Sequence, residues 1–350
     1  MNKHGGYYGE DYKEIIDFSV NINPLGPSRY IKKEMAKSLE NVYRYPEIDG
    51  RTGIAALSRH MGIEEEKIIL GNGAIELIYL FVRTLTPKKA LIIGPTFNEY
   101  RRALEMNNVE VLEISRIEDG EFHIDKKSII GTIEKEEPDV LILCNPNNPT
   151  GDYTSTDDFS PIIDCMDNID GHTLIDESFM DFTTEETFQR YINKHNIFIL
   201  RSMTKFYSLP GIRLGYGLGN IGLIERLKTH KEPWTMNSIA LDILPYVIED
   251  KEFIRNTANW IDLERRYLYQ ELKDISFIKV FKPSANFLLF KLEKGNPNEF
   301  FNYLLANKIH IRTCEDFNEL GDRYFRIAVK LHKDNMKIIS LIRGWDKGGE

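Results

Sequence analysis

Ile197-Phe198-Ile199-Leu200, continued by Arg201-Ser202-Met203-Thr204-Lys205 and then by Gly211-Ile212-Arg213-Leu214-Gly215, decides how the rest of the chain is read. The opening residues are an apolar run bounded by polar ones, which marks a strand buried on both faces of a parallel sheet. Lys205 therefore stands just past the carboxyl end of a strand. Small hydroxyls sit beside it, and Arg213 follows a short loop later. An amine so placed suits condensation with a carbonyl next to a bound phosphate. A lysine in a loop is also an ordinary surface charge, so its meaning depends on what the sheet brings alongside.

Further runs share this apolar character: Ala90-Leu91-Ile92-Ile93-Gly94, Val140-Leu141-Ile142-Leu143-Cys144 and Thr173-Leu174-Ile175-Asp176. Between them, 76–85 and 98–107 carry apolar residues at helical spacing. Such alternation implies βαβ units and a mostly parallel sheet covered on both faces. Ligands of these sheets bind beyond the carboxyl ends of the strands. The polar clusters lie there: Gly94-Pro95-Thr96-Phe97, 145–151, Asp176-Glu177 and 202–205.

Beyond about Pro233 the pattern changes. A charged helix over 250–272 leads to a strand at Phe287-Leu288-Leu289-Phe290 and a helix near 297–307. Strands near Ile309-His310-Ile311 and 324–329 and a last helix over 334–342 complete the chain. The expectation is an α/β protein with a large domain, built on a mostly parallel central sheet, and a smaller α+β domain. The expected boundaries are an N-terminal arm over 1–30 that contributes to the small domain, a large domain over 31–240 and a small domain over 241–350.

Composition excludes several function classes. With 350 residues the chain is long for a single core, and 42% hydrophobic with 28% charged residues opposes disorder. A net charge of −9 opposes broad binding to nucleic acid or to an anionic membrane surface, so an anionic ligand must rely on local arginines. Cys144, Cys165 and Cys314 are widely spaced, which fits a reducing compartment and makes no metal site. The opening Met1-Asn2-Lys3-His4-Gly5-Gly6 lacks the character of a signal peptide, and no run approaches the roughly 18 apolar residues of a membrane span. A cytoplasmic protein is expected.

Asn145-Pro146-Asn147-Asn148-Pro149-Thr150-Gly151 is made of residues that dominate turns. At a strand end it also places Asn148 to bond a ring hydroxylate, with Asn148-Pro149 a candidate cis peptide. Asp176 closes an apolar run, where a carboxylate needs a cationic partner. A protonated pyridine nitrogen is such a partner, and the pairing strengthens the ring as an electron sink. Gly71-Asn72-Gly73-Ala74-Ile75-Glu76 precedes a helical stretch and lets backbone N–H groups approach a phosphate at the helix N-terminus. Phe97 suits stacking on an aromatic ring. Arg326 alternates with apolar neighbours in 324–329, points away from their face and suits bidentate capture of a carboxylate; Arg312 is a second such candidate. The chemistry these residues share is that of pyridoxal phosphate.

The ordered set of 71–73, 145–151, Asp176-Glu177-Ser178, 202–205 and 211–216 resembles fold-type I pyridoxal-phosphate enzymes of the aminotransferase class I/II superfamily across nearly the whole chain. The resemblance implies that Lys205 carries the cofactor, that Asp176 partners its pyridine nitrogen, and that Phe97 and Asn148 meet its ring and ring hydroxyl. It gives Gly73, Ala74, Ile75, Ser202, Thr204 and Arg213 to the cofactor phosphate and Arg326 to the substrate carboxylate. Tyr45, in Arg44-Tyr45-Pro46, resembles the tyrosine that reaches the neighbouring subunit's phosphate, which implies a homodimer with shared sites.

Two branches of the superfamily compete. Asn23-Pro24-Leu25-Gly26 and Arg44-Tyr45-Pro46 occur in histidinol-phosphate aminotransferases as well. The segments 4–6, 17–26, 201–207, 309–314 and 324–329 look more like the threonine-phosphate decarboxylases of cobalamin biosynthesis. Phe179 stands where many aminotransferases carry a tyrosine, and the decarboxylases tend to have phenylalanine. The resemblance thus implies decarboxylation of a phosphorylated amino acid, L-threonine O-3-phosphate, with transamination of histidinol phosphate against 2-oxoglutarate as the alternative. His4 and Asn23, with the arm around Asn21, are candidates for the substrate phosphate.

Overall fold

The central sheet is built from strands β1 (Ile68–Asn72), β2 (Lys89–Gly94), β3 (Glu110–Ser115), β4 (Val140–Cys144), β5 (His172–Asp176), β6 (Ile197–Ser202) and β7 (Leu214–Gly219). The structure is a computed structural model that describes residues 5–345. The strand order is β1-β7-β6-β5-β4-β2-β3, and only β7 runs against its neighbours. Alternation along each strand feeds two cores. Leu91, Ile93, Leu141, Leu143, Ile175 and Ile199 join one of them, while Ala90, Ile92, Val140, Ile142, Leu174 and Phe198 join the other. Every residue of β4 is buried, which is why the strand reads as a continuous apolar run.

The apolar runs at 90, 140, 173 and 197 are therefore strands, as expected. Strand β7 was not anticipated, because glycines at alternate positions hide its period. Gly217 leaves no room for a side chain, since a Cβ there would overlap the Phe198 ring. The strand's reversed direction returns the chain so that Arg213 arrives beside β1.

A second core forms around strands β8 (Ile278–Val280), β9 (Phe287–Leu292), β10 (Arg312–Thr313) and β11 (Tyr324–Ala328), in antiparallel order β8-β9-β11-β10. The amphipathic helix Lys251–Lys273 lays Phe253, Trp260, Ile261, Leu268 and Leu272 onto it. Fully buried Phe18 joins the same core from the N-terminal arm. The expected domain boundary at 240 falls inside helix Ser238–Glu249, whose Leu241, Ile243, Leu244 and Val247 still pack the first sheet. No helix among the described residues is long and apolar enough to cross a membrane.

The arm is pinned by polar contacts as well. Ile16–Asp17 pairs in parallel with Ile309–His310. Asp17 accepts from Tyr7 N (2.9 Å), Ser19 N (2.8 Å) and Ser19 Oγ (2.6 Å), with His310 Nδ1 at 3.2 Å. Burial alone would raise the Asp17 pKa, but the bonds from His310, Ser19 and Tyr7 outweigh it and hold it at about 2. A depressed carboxylate stabilises the fold above its unfolded value and loses that contribution as pH falls through the folded one. Asp17→Asn is accordingly expected to cost about 2 kcal/mol at pH 7 and about half of that at pH 3. Urea unfolding at the two pH values measures it, and an equal deficit at both would refute the role.

Candidate active site

The carboxyl ends of β2, β4, β5 and β6 open onto one cavity. Its walls are Ala74, Ile75 and Ile78 from the helix after β1, Phe97 and Tyr100 after β2, and Cys144 and Asn148 from β4 and its loop. Asp176, Ser178 and Phe179 come from β5, Ser202, Thr204 and Lys205 from β6, and Arg213 from the approach to β7. Residues chosen separately along the sequence thus meet in one place.

One end suits a phosphate. Helix Ala74–Leu85 starts without a side-chain cap, so its first N–H groups stay available and carry the positive end of the helix dipole. Gly73 precedes it at φ 76°, a conformation that favours glycine, and a Cβ there would overlap the Arg213 guanidinium. Ser202 Oγ and Thr204 Oγ1 lie 2.8 Å apart, and Lys205 Nζ donates to Ser202 Oγ at 3.0 Å. An uncapped helix end, a guanidinium and neighbouring hydroxyls are a donor set for a dianion.

The floor suits a pyridinium ring. Asp176, 4% exposed, accepts from Tyr100 OH at 2.7 Å and from Ser178 N at 2.8 Å. Both bonds fix the orientation of the carboxylate. Burial lowers the Lys205 pKa; the Asp176 charge opposes this and Arg213 adds to it. Phe179 lies beneath the amine, its ring centroid 5.5 Å from Nζ. Phe97 meets Tyr100 edge-on at 5.6 Å and completes an apolar wall. These residues fit pyridoxal phosphate at both its charged end and its ring.

Beside Asn148, Arg326 is buried rather than facing solvent. It donates to Asn148 Oδ1 and, through Nη2, to the Ser19 carbonyl at 2.7 Å. Burial lowers its pKa to about 10, which leaves it charged at neutral pH. Arg312 is its cross-strand partner and donates to Asp316 at 2.7 Å, and Asn98 Nδ2 reaches the same carboxylate at 3.2 Å. The Asn148-Pro149 peptide is cis.

Other expected site residues lie elsewhere. Tyr45 is 87% exposed, packs near Trp234 and lines no part of this chain's cavity. The Asn23 side chain, read as a substrate group, is committed to the fold: Nδ2 donates to Phe206 O and Thr257 Oγ1, both at 2.8 Å, and Oδ1 accepts from Leu25 N at 3.0 Å. Its backbone N–H donates to Lys205 O, so the residue ties the arm to the lysine's turn. His4 lies outside the described residues. Tyr100 was missed in the sequence; its one signal was position, a helical turn after Phe97.

An open, mostly parallel sheet with a half-buried lysine, a carboxylate and a phosphate cradle at its strand ends defines a fold-type I enzyme dependent on pyridoxal 5'-phosphate. The chain belongs to the aminotransferase class I and II family, which it matches over residues 13–340. It is 38% identical, over 98% of its length and 93% of the relative's, to a protein of Caldanaerobacter subterraneus subsp. tengcongensis named provisionally as a threonine-phosphate decarboxylase. It is 32% identical to the threonine-phosphate decarboxylase of Salmonella typhimurium, over 94% and 91% of the two chains. Among solved structures, the histidinol-phosphate aminotransferase from Clostridium acetobutylicum superposes with a TM-score of 0.88 at 33% identity, covering 93% of this chain and 98% of that one.

Proposed function

We propose that the protein decarboxylates an O-phosphorylated amino acid, L-threonine O-3-phosphate, and that Lys205, Asp176, Asn148 and Arg213 hold its cofactor. Bound there, pyridoxal phosphate supplies a sink for the electron pair left when a bond at the substrate Cα breaks. Asp176 would partner the protonated ring nitrogen, and Tyr100 and Ser178 orient its carboxylate. The cradle of Ala74, Ile75, Ser202, Thr204 and Arg213 anchors the phosphate and so fixes the ring. Lys205 is the lysine lining the cavity and stands where an amine could take or return a proton at Cα. Phe97, Ile78 and Phe179 exclude water. Arg326 and Arg312, paired across β11 and β10, offer guanidinium groups to a substrate with two anionic ends.

Phe179 carries the choice of reaction. It packs under the Lys205 amine without a hydroxyl, as in the decarboxylase branch, and leaves the ring oxygen to Asn148. The names of the relatives at 38% and 32% identity support the same reading. Transamination of histidinol phosphate is the second reading, favoured by the superposition on an aminotransferase of that kind. The two part in one assay. Phosphothreonine with trace cofactor and no oxo acid is expected to release one carbon dioxide per substrate consumed. Turnover of histidinol phosphate that requires 2-oxoglutarate, with no gas from phosphothreonine, would replace the first reading by the second.

The protein is further proposed to work as a homodimer. Val42, Tyr43, Tyr45, Ile48 and Trp234 expose apolar surface in one region, which supports burial against a second copy. A monomer in sedimentation at micromolar concentration would rule this out.

A further inference from the structure

We infer that Arg116 is a positioning residue for the cofactor ring: it sets the spacing of the loops that carry Phe97 and Asn148. This inference rests on the proposed roles of Phe97 and Asn148 against that ring.

Arg116 follows β3, and its side chain has no exposure. Strands β2 and β4 are neighbours, but their paired register ends at Ile92 and Ile142. On their other sides the strands stay paired further, β2 with β3 to Gly94–Ser115 and β4 with β5 to Cys144–Asp176. The sheet therefore splits between β2 and β4, just below the cavity. Arg116 occupies the split. Nη1 donates to Ile93 O at 2.7 Å and Nη2 to Cys144 O at 3.3 Å, one carbonyl from each parted strand. Its backbone N–H donates to Gly94 O at 2.7 Å.

The bridge continues into both loops. Arg116 Nε pairs with Asp152 at 3.1 Å, and Asp152 accepts from Thr150 Oγ1. Thr150 Oγ1 accepts from Asn147 Nδ2 at 2.6 Å, which also donates to Pro95 O at 2.8 Å. Asn147 Oδ1 accepts from Thr96 Oγ1 at 2.8 Å. The circuit closes one residue short of Phe97 on one side and of Asn148 on the other. A buried guanidinium is costly unless its donors are used, and here the fork spans acceptors that a lysine's point charge could not reach together. The phosphate cradle stands on β1, β6 and β7 and shares none of these bonds.

Removing Arg116 should therefore loosen the hold on the ring and leave the hold on phosphate intact. The test uses the full-length apoprotein with Arg116→Lys and with the charge-balanced Arg116→Met/Asp152→Asn. Equilibrium dialysis measures pyridoxal phosphate and inorganic phosphate separately, and visible circular dichroism reads the seating of the bound ring. The Kd for pyridoxal phosphate is expected to rise about 10- to 100-fold in both variants, the size of one or two charge-assisted hydrogen bonds. The dichroic band should weaken, while the Kd for inorganic phosphate stays within about twofold. Unchanged cofactor affinity in either variant overturns the inference. So does a parallel loss of both affinities, which would mark general structural support. Asn148→Ala is the separate control: wild-type affinity in that variant would remove the proposed role of Asn148 and leave the Arg116 result to be read on its own.

Discussion

Replacing Lys205 with alanine is expected to lower kcat by about 10⁴-fold or more and to abolish the visible absorbance that the wild-type protein develops with pyridoxal phosphate. The reason is position. Lys205 lines the cavity 3.0 Å from Ser202 Oγ and above the Phe179 ring, and no other lysine among the described residues lines it. Loss of fold is a separate matter and has the opposite sign. Burial lowers the Lys205 pKa, so between that value and the ordinary one the unfolded chain binds more protons than the folded one. Stability then rises with pH through this window, and at neutral pH the buried charge destabilises the apoprotein. The Lys205→Ala apoprotein should melt above wild type at pH 7, with the gap narrowing toward pH 10. An inactive variant that melts lower at pH 7 would contradict this account of the buried amine, and an active one would end the proposed mechanism.

Asp176→Asn is expected to lower kcat by about 10²- to 10³-fold, the scale of one preorganised electrostatic contact, while the visible band expected of the proposed Lys205 linkage persists. The carboxylate is 4% exposed and held from two sides, so a neutral amide removes the charge without opening a hole. Tyr100→Phe removes one hydrogen bond to the same carboxylate and should cost about tenfold. The proposed pairing sets the order of the two effects: the charge would act on the ring, and the tyrosine only through the charge. Equal losses in the two variants, or a kcat for Asp176→Asn within threefold of wild type, would overturn the pairing of Asp176 with the cofactor nitrogen.

The strands and their polar ends were legible because each is a local signal. An apolar run such as Val140–Cys144 announces a strand, and Asp176 or Lys205 announces itself by following one. Tyr100 and Arg116 were not legible, because their partners are distant in the chain: 76 residues separate Tyr100 from Asp176, and 36 separate Arg116 from Asp152. Arg326 was read correctly as leaving the apolar face of its strand. Periodicity cannot say what lies on the far side, and there it meets Asn148 and Ser19 instead of water. Asn23 was read for its place in a family-like motif, and the sequence did not show that its side chain also ties the arm to Phe206 and Thr257.

The hydrogen bond from Arg326 to the Ser19 carbonyl has an effect at a distance. Nε of Arg326 is buried and has no partner among the described residues, but a carboxylate gripped by two nitrogens must also draw on Nη1 or Nη2. On the proposed role of Arg326, an arriving substrate carboxylate would compete with Ser19 or with Asn148 for the same guanidinium. If Ser19 yields, the arm loses an anchor whenever the site fills, and reciprocity requires that a tighter arm weaken substrate capture by the same factor. Amide hydrogen exchange across 17–23 would then be an occupancy gauge, readable without following the reaction.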